Sequence, residues 1–294
     1  MEPSKSLFVI HEIPGKGRGV VATKNIMAGT LILAEDPLMT VPKPATEKTV
    51  LEKFNKLSPS EQIQFLDLHD SGNAEKSVWR IFRTNCMNVC GFAELGVEES
   101  AVYNSISRIN HSCSPNAVWS CKNGNVRRQE VRACRNIEEG EEIQCSYVRV
   151  ADFACKAQRK NRLLDRWDFV CACEVCSLTG SALEENEEIR AEIRKCDENL
   201  ASLRSQKYES NPGLIQDKQQ LALTETQLKL DMMMDIEEES VLALPATLMQ
   251  CYQLALITGR NPQWYQFKAL ELSRKLGDEF IKYCEDKIRT VRSE

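Results

Sequence analysis

Asn110-His111-Ser112-Cys113-Ser114-Pro115-Asn116 is the stretch on which the reading of this chain turns. Taken singly, each residue has an ordinary explanation: Asn, Ser and Pro build loops, and a lone His or Cys packs or caps. As a string of seven they are far more specific. Three further segments are placed around the string in a fixed order: G-K-G-R-G at 15–19, G-E-E-I-Q-C-S-Y at 140–147 and C-A-C-E-V-C at 171–176. The first puts three glycines within five residues, where missing side chains let the backbone approach a ligand. The last puts Cys171, Cys173 and Cys176 within six residues, and structural zinc takes four tetrahedral N or S ligands. Three reduced surface thiols are the plain alternative, disfavoured because exposed free thiols are a liability.

Outward from these motifs, strands and helices alternate in blocks. SLFVI, GVVAT and TLILAEDPLMTV, between residues 6 and 41, read as short strands separated by glycine-bearing turns. Residues 45–83 change to helical spacing (Leu51, Phe54, Leu57, then Ile63, Phe65, Leu66 and Trp79), with Ser58-Pro59 opening a new turn. VRRQEVRAC and EEIQCSYV restore the strand pattern, and KAQRKNRLLDRW reads as a helix. Beyond Gly180 the chain reads as four helices. The first is marked by Leu183, Ile189, Ile193, Cys196, Leu200 and Leu203, the second by Leu214, Leu221, Leu228 and Met232. The third lies near Val241 to Ile257, and the fourth carries Leu272, Leu276, Phe280 and Tyr283. Four helices with short connections imply a helical-hairpin array of tetratricopeptide-like architecture. The expected fold class is therefore α+β: a β-rich domain over 1–150 with a helical insert at 45–83, a cysteine-bearing segment at 151–180, and a helical domain at 181–294.

At 294 residues, 42% hydrophobic and 28% charged, the chain has a globular profile. Its start, MEPSKSLFVI, lacks the basic-then-apolar pattern of a signal peptide, and no apolar run reaches the roughly 18 residues of a membrane span. The expectation is a monomer in the cytoplasm, the nucleus or both, with no membrane partner. Thirteen cysteines in such a compartment read as thiols or metal ligands, not bridges. Those outside the cluster, such as Cys86, Cys90 and Cys121, read as small core residues. A net charge of −5 argues against direct nucleic-acid binding. Residues 181–240 hold fifteen acids and seven bases, a net of −8, so the remainder sums to +3. That acidic flank would attract a basic substrate, or it is simply a solvated helix face.

The four motifs, in this order over residues 7–180, resemble the SET methyltransferase family. The nearest branch is similar to the SET-and-MYND proteins, with their interrupted SET domain, Cys-x-Cys-x-x-Cys tail and helical C-terminal domain. The insert here holds no cysteine and a single histidine, His69, so the MYND zinc finger of that branch is missing. The resemblance implies a protein-lysine N-methyltransferase using S-adenosylmethionine, acting on a lysine-bearing protein or peptide, histone or non-histone. It implies Cys113 as the fourth zinc ligand beside Cys171, Cys173 and Cys176, and cofactor contacts from Lys16, Gly17, Arg18, Asn85, Ser107, Asn110, His111, Tyr147 and Phe169. Tyr147 becomes the expected catalytic residue, since a tyrosine hydroxyl orients an amine without being consumed. Tyr103 and Trp167 become expected walls of the lysine channel. Trp167 stands where the branch usually has tyrosine. The competing reading is an inert SET module serving as a protein-interaction scaffold, which the helical domain would suit.

Overall fold

In the computed structural model, residues 6–71, 75–89, 98–122, 125–149, 152–205, 212–236 and 242–293 are described. The N-terminal half builds three small sheets. Strands β1 (Phe8–Ile13) and β2 (Gly17–Ala22) form an antiparallel hairpin across the G-K-G turn, where Gly15 and Gly17 take φ of 75° and 71°. β2 continues into β10 (Glu142–Cys145), and β10 pairs in parallel with the two-residue β7 (Asn110–His111). A second sheet orders β3 (Leu31–Glu35), β9 (Asn125–Ala133) and β8 (Ala117–Lys122). A third orders β4 (Met39–Pro42), β6 (Glu99–Val102) and β5 (Met87–Asn88). Their inner faces share a core of Val20, Ile26, Tyr103, Ile106, Ile109, Val131 and Ile143, all essentially closed to solvent. The TLILAEDPLMTV stretch thus makes two strands, β3 and β4, interrupted by the extended residues around Pro37.

The helical insert forms as its end signals require. Helix α1 (Glu47–Phe54) starts at a Thr46/Thr49 capping box. Helix α2 (Pro59–Leu66) starts at a Ser58/Glu61 box with proline in its first turn. Helix α3 (Val78–Asn85) runs two residues past the expected boundary. Val50, Phe54, Phe65, Ile81 and Phe82 bury their side chains against Met39, Val41 and Val102.

The C-terminal half departs from the sequence reading in two places. Helices α4 (Lys156–Trp167), α5 (Glu174–Ser177), α6 (Gly180–Ser205), α7 (Pro212–Asp235) and α8 (Leu244–Ile257) are followed by α9 (Gln263–Leu276) and α10 (Asp278–Ser293). The expected fourth helix is therefore two, and five described helices, not four, follow Leu178. The break is Gly277, at φ 114°, packed so closely on the second sheet that a β-carbon there would lie 2.7 Å from Ser120 Oγ. Leu276 and Phe280 use that break to reach Val118 and Cys134. Leu214, Leu221 and Leu228 mark α7 as expected but face outward, each about half exposed. Its buried face is Leu223, Leu230 and Met233, which α6 and α8 cover. Phe153, at φ 44° and buried, leaves the strand-rich half to join the helical core beside Ile193 and Leu230. Val241, the expected start of the third helix, and Cys90 lie outside the described residues, while Cys86 is partly exposed. Among the described residues no helix is long and apolar enough to cross a membrane.

Candidate active site

The seven-residue string lies alongside the end of β10, although some 30 residues separate them in sequence. Asn110 and His111 pair with Gln144 and Cys145, and the Ser112 N–H donates to the Cys145 carbonyl at 3.0 Å. Asn116, almost fully buried, fastens the far end. Its amide donates to Glu141 Oε1 and to the Glu142 carbonyl, both at 2.8 Å, and its oxygen accepts the Gln144 N–H at 2.7 Å. The string is thus held on the strand by its own side chains, and the motif's last residue is structural.

On one side of this junction Glu142 gathers the polar groups expected to meet the cofactor. Its Oε1 accepts from Asn110 Nδ2 at 2.8 Å. Its Oε2 accepts from Lys16 Nζ at 2.7 Å and from Gln144 Nε2 at 3.1 Å. Gly19 makes that meeting possible: a β-carbon there would sit 2.7–2.9 Å from Ile13, Glu142 and Asn110. By contrast, Gly15 and Gly17 face open space. Arg18 turns its guanidinium onto Asp67, just past α2, at 2.7 Å; Arg108 meets the same carboxylate oxygen at 2.8 Å. The Arg18 hydrogen bond holds the Asp67 carboxyl below its usual range.

Asn85 and Ser107 lie together. The Ser107 hydroxyl donates to the Asn85 carbonyl at 3.3 Å, and Asn85 Nδ2 donates to the carbonyls of His69 and Ile81, each at 2.7 Å. Ser107 sits in a short turn, Ile106–Arg108, at whose start the N–H groups of Asn104, Ser105 and Ile106 donate to the Glu35 carboxylate at 3.0 Å. Nothing in the sequence singled out Glu35.

Tyr147 stands at the centre of an aromatic enclosure. The Trp119 ring stacks on it at 6.1 Å, Trp167 approaches to 5.1 Å, His111 to 5.3 Å, and Phe169 meets it edge-on at 6.4 Å. Its backbone N–H donates to His111 Nδ1 at 2.9 Å and its hydroxyl donates to the Ile109 carbonyl at 2.7 Å. Burial pushes the phenol above its ordinary pKa, so it is neutral at physiological pH. Desolvation also lowers His111, to about 4. With Nδ1 accepting, the neutral imidazole carries its proton on Nε2, which faces Cys113 Sγ at 3.3 Å. Trp167 is anchored by its Nε1 donating to the Thr84 carbonyl at 2.9 Å. Tyr103, by contrast, is fully buried in the main core with its hydroxyl donating to the Arg127 carbonyl at 2.6 Å. Trp119 supplies a ring that alternation along a strand gave no reason to select.

Cys113, Cys171, Cys173 and Cys176 converge, their sulfurs all within 4.8 Å of one another and those of Cys113 and Cys176 at 3.5 Å. A zinc ion bound at about 2.3 Å would hold sulfurs roughly 3.8 Å apart at tetrahedral corners, so the four thiols fit that ion. Hydrogen bonding to the other three thiols raises Cys113 and lowers Cys173. Arg159, almost fully buried, brings Nη2 within 3.8 Å of Cys176 Sγ.

Residues 17–148 match the SET domain family profile. Over 188 residues the chain is 30% identical to the histone-lysine N-methyltransferase set5 of Schizosaccharomyces pombe, covering 63% of this chain and 54% of that protein. Over 103 residues it is 34% identical to the N-lysine methyltransferase SMYD2 of Homo sapiens, covering 35% and 21% respectively. It is 26% identical over 197 residues to a putative SET domain-containing protein of Acanthamoeba polyphaga mimivirus, covering 56% and 75%. The first two matches span about half the length of those relatives or less.

Proposed function

For a chain whose residues 17–148 are a SET domain, we propose the transfer of methyl groups from S-adenosylmethionine to the side-chain amine of lysine in a protein substrate. The supporting observation is Tyr147, enclosed by four rings with its hydroxyl hydrogen committed to the Ile109 carbonyl. With that proton engaged, the phenol oxygen offers its lone pairs to an incoming amine N–H, and so turns the amine's own lone pair toward the donor. The acceptor must be neutral, against an ordinary lysine pKa of about 10.4. Passage between Trp119, Trp167 and Tyr147 strips water from the ammonium and lowers that value.

S-adenosylmethionine, when bound, supplies an electrophilic methyl group. Lys16, Gly17, Asn110 and His111 would hold it beside the adjoining strands β2, β10 and β7, where Gly15 and Gly17 leave the backbone open. Phe169 would flank it from the cysteine-bearing segment, with Asn85 and Ser107 behind. Arg18 would act through the Asp67 clasp that steadies α2. A zinc ion on the four cysteines would pin that segment to the Asn110–Asn116 string, with His111 Nε2–H donating to the Cys113 thiolate. Folding, metal binding and cofactor binding then become coupled. In this reading the chain is organised as a SET domain over 1–150, a zinc segment over 151–180 and a helical domain over 181–294.

The test is methylation of a protein extract with labelled S-adenosylmethionine, alongside calorimetry of the same cofactor. Tyr147→Phe should lower transfer about 100-fold or more while cofactor affinity holds, and the melting temperature should fall by only a few degrees, because the Ile109 carbonyl loses its partner. Full transfer by that variant would remove Tyr147 from the role, and absence of cofactor binding by zinc-loaded protein would favour the inert scaffold.

A further inference from the structure

A cavity of about 700 Å³ opens between α3, the turn from β4 to α1, and the end of α4. Trp79, Phe82, Lys43, Arg83, Glu98 and Arg166 are among its lining residues. Its floor is aromatic, Trp79 and Phe82 stacking at 6.2 Å, and its rim is cationic. Arg83 lies over the Trp79 ring at 6.0 Å and Arg166 over the Trp167 ring at 4.6 Å. The acidic Glu98 is paired with Lys43 at 3.7 Å. Among the described residues no ion pair joins Arg83 or Arg166 to a carboxylate. Arg166 donates from Nη2 to the Cys86 carbonyl at 3.2 Å, and the five N–H donors of a guanidinium leave others for carboxylate recognition. In a chain of net charge −5, the unmatched cations here have the opposite sign.

The cavity also lies close to the chemistry. Arg166 covers Trp167, and Trp167 contacts Tyr147 at 5.1 Å. The Arg166 guanidinium is therefore no more than about 10 Å from the Tyr147 ring, a span that about three residues of extended chain cover at roughly 3.3 Å each.

We propose that this cavity receives an acidic segment of the substrate protein, so that the chain selects lysines with a carboxylate within about three positions. The inference rests on the methyltransferase reading and narrows its substrate. It runs opposite to the basic substrate that the acidic helical region alone would suggest.

Fluorescein-labelled peptides with one central lysine and alanine–glycine flanks, carrying a single Glu, Lys or Ala at each flanking position, test it on the full-length zinc-loaded chain. In anisotropy titrations at low salt, a Glu flank should tighten binding about three- to fivefold over Ala, an advantage that shrinks in high salt. Arg83→Glu, on the exposed face of α3, should abolish that advantage and favour Lys flanks instead. Arg166→Gln should weaken it without reversing it. Equal binding of Glu and Ala peptides, a Glu advantage that survives both variants, or no peptide binding up to about 1 mM would each overturn the proposal. Transfer from labelled cofactor is scored separately. Transfer without flank preference overturns the acidic-segment inference and leaves the methyltransferase reading standing. A Glu preference in binding with no transfer to any protein supports the cavity's role and overturns that reading.

Discussion

Replacing Gly19 with alanine probes the polar junction of the proposed cofactor site with one methyl group. The residue lies in β2 opposite His11, with no left-handed backbone torsion, so alanine is conformationally permitted and the obstacle is space. The added carbon would approach Ile13 Cγ1 to 2.7 Å, Glu142 Oε1 to 2.8 Å and Asn110 Nδ2 to 2.9 Å, where carbon contacts prefer about 3.5–4.0 Å. The last two atoms hydrogen-bond each other at 2.8 Å, so the methyl wedges into that pair. Relief requires the Glu142 carboxylate to move, and it also holds Lys16. Overpacking costs about 1–3 kcal/mol and a charge-assisted hydrogen bond about 1.5–3 kcal/mol. The two overlap, and the exposed Lys16 end contributes little, so the net expectation is about 2 kcal/mol. For a protein of this size that lowers the melting temperature by about 3–6 °C. If Lys16 and Asn110 both touch the cofactor, S-adenosylmethionine affinity falls tenfold or more, since about 1.4 kcal/mol is a factor of ten. Differential scanning calorimetry and isothermal titration on zinc-loaded protein read the two effects separately. A melting temperature within about 1 °C of the parent would refute the steric argument. A lowered melting temperature with unchanged affinity would refute the placement of the cofactor against Asn110 and Lys16.

Elemental analysis should find one zinc per chain. A strong chelator, or Cys173→Ser, should lower the melting temperature and weaken cofactor binding together, whereas loss of metal with neither change would refute the coupling. Tyr147, raised above the ordinary tyrosine pKa of about 10, keeps its neutral form in the folded state. That contribution is complete below the unfolded value and is lost only as pH rises beyond it. Absorbance titrations of the parent and Tyr147→Phe should therefore coincide up to about pH 10, and a tyrosinate step near neutrality belonging to Tyr147 would contradict its burial. Phe153→Ala removes a ring buried in the helical core and should cost about 3–5 kcal/mol. Urea unfolding followed by fluorescence should then move to a lower midpoint, and an unshifted transition would show the ring to be dispensable.

The elements readable in the sequence are those whose signals are local. The α1 and α2 starts were legible because a capping box needs only four residues, and Thr46/Thr49 and Ser58/Glu61 supply it. The cysteine cluster was legible as far as its three neighbouring thiols; its fourth member came only by resemblance, since Cys113 is 58 positions before Cys171. Helix α7 shows where local periodicity stops. Leu214, Leu221 and Leu228 repeat every seven residues and mark a helix correctly, but periodicity does not say which stripe is covered. Neighbouring helices decide that, burying Thr226 and Lys229 on the opposite side, the latter paired to Asp197 at 2.6 Å. Gly277 was hidden for the same reason: Leu276 and Phe280 keep a helical spacing of four across the break.

The site itself follows this division. Asn110, His111 and Tyr147 were found as members of motifs, yet what holds them is a set of contacts between distant segments. Glu142 lies within a quoted motif but gains its role only when β10 comes beside β2 and β7, bringing Lys16 and Asn110 to one carboxylate. Trp119 lay outside every motif, and it reaches Tyr147 because β8 and β10 pack together. Tyr103 had the right residue type and a plausible position, yet its hydroxyl is spent on the Arg127 carbonyl in the core. An aromatic wall is chosen by which strand face points inward at a crossing, and that is a property of the assembled sheets. Specificity at this site should accordingly follow the rings that β8 and α4 bring to Tyr147, more than the motif residues themselves.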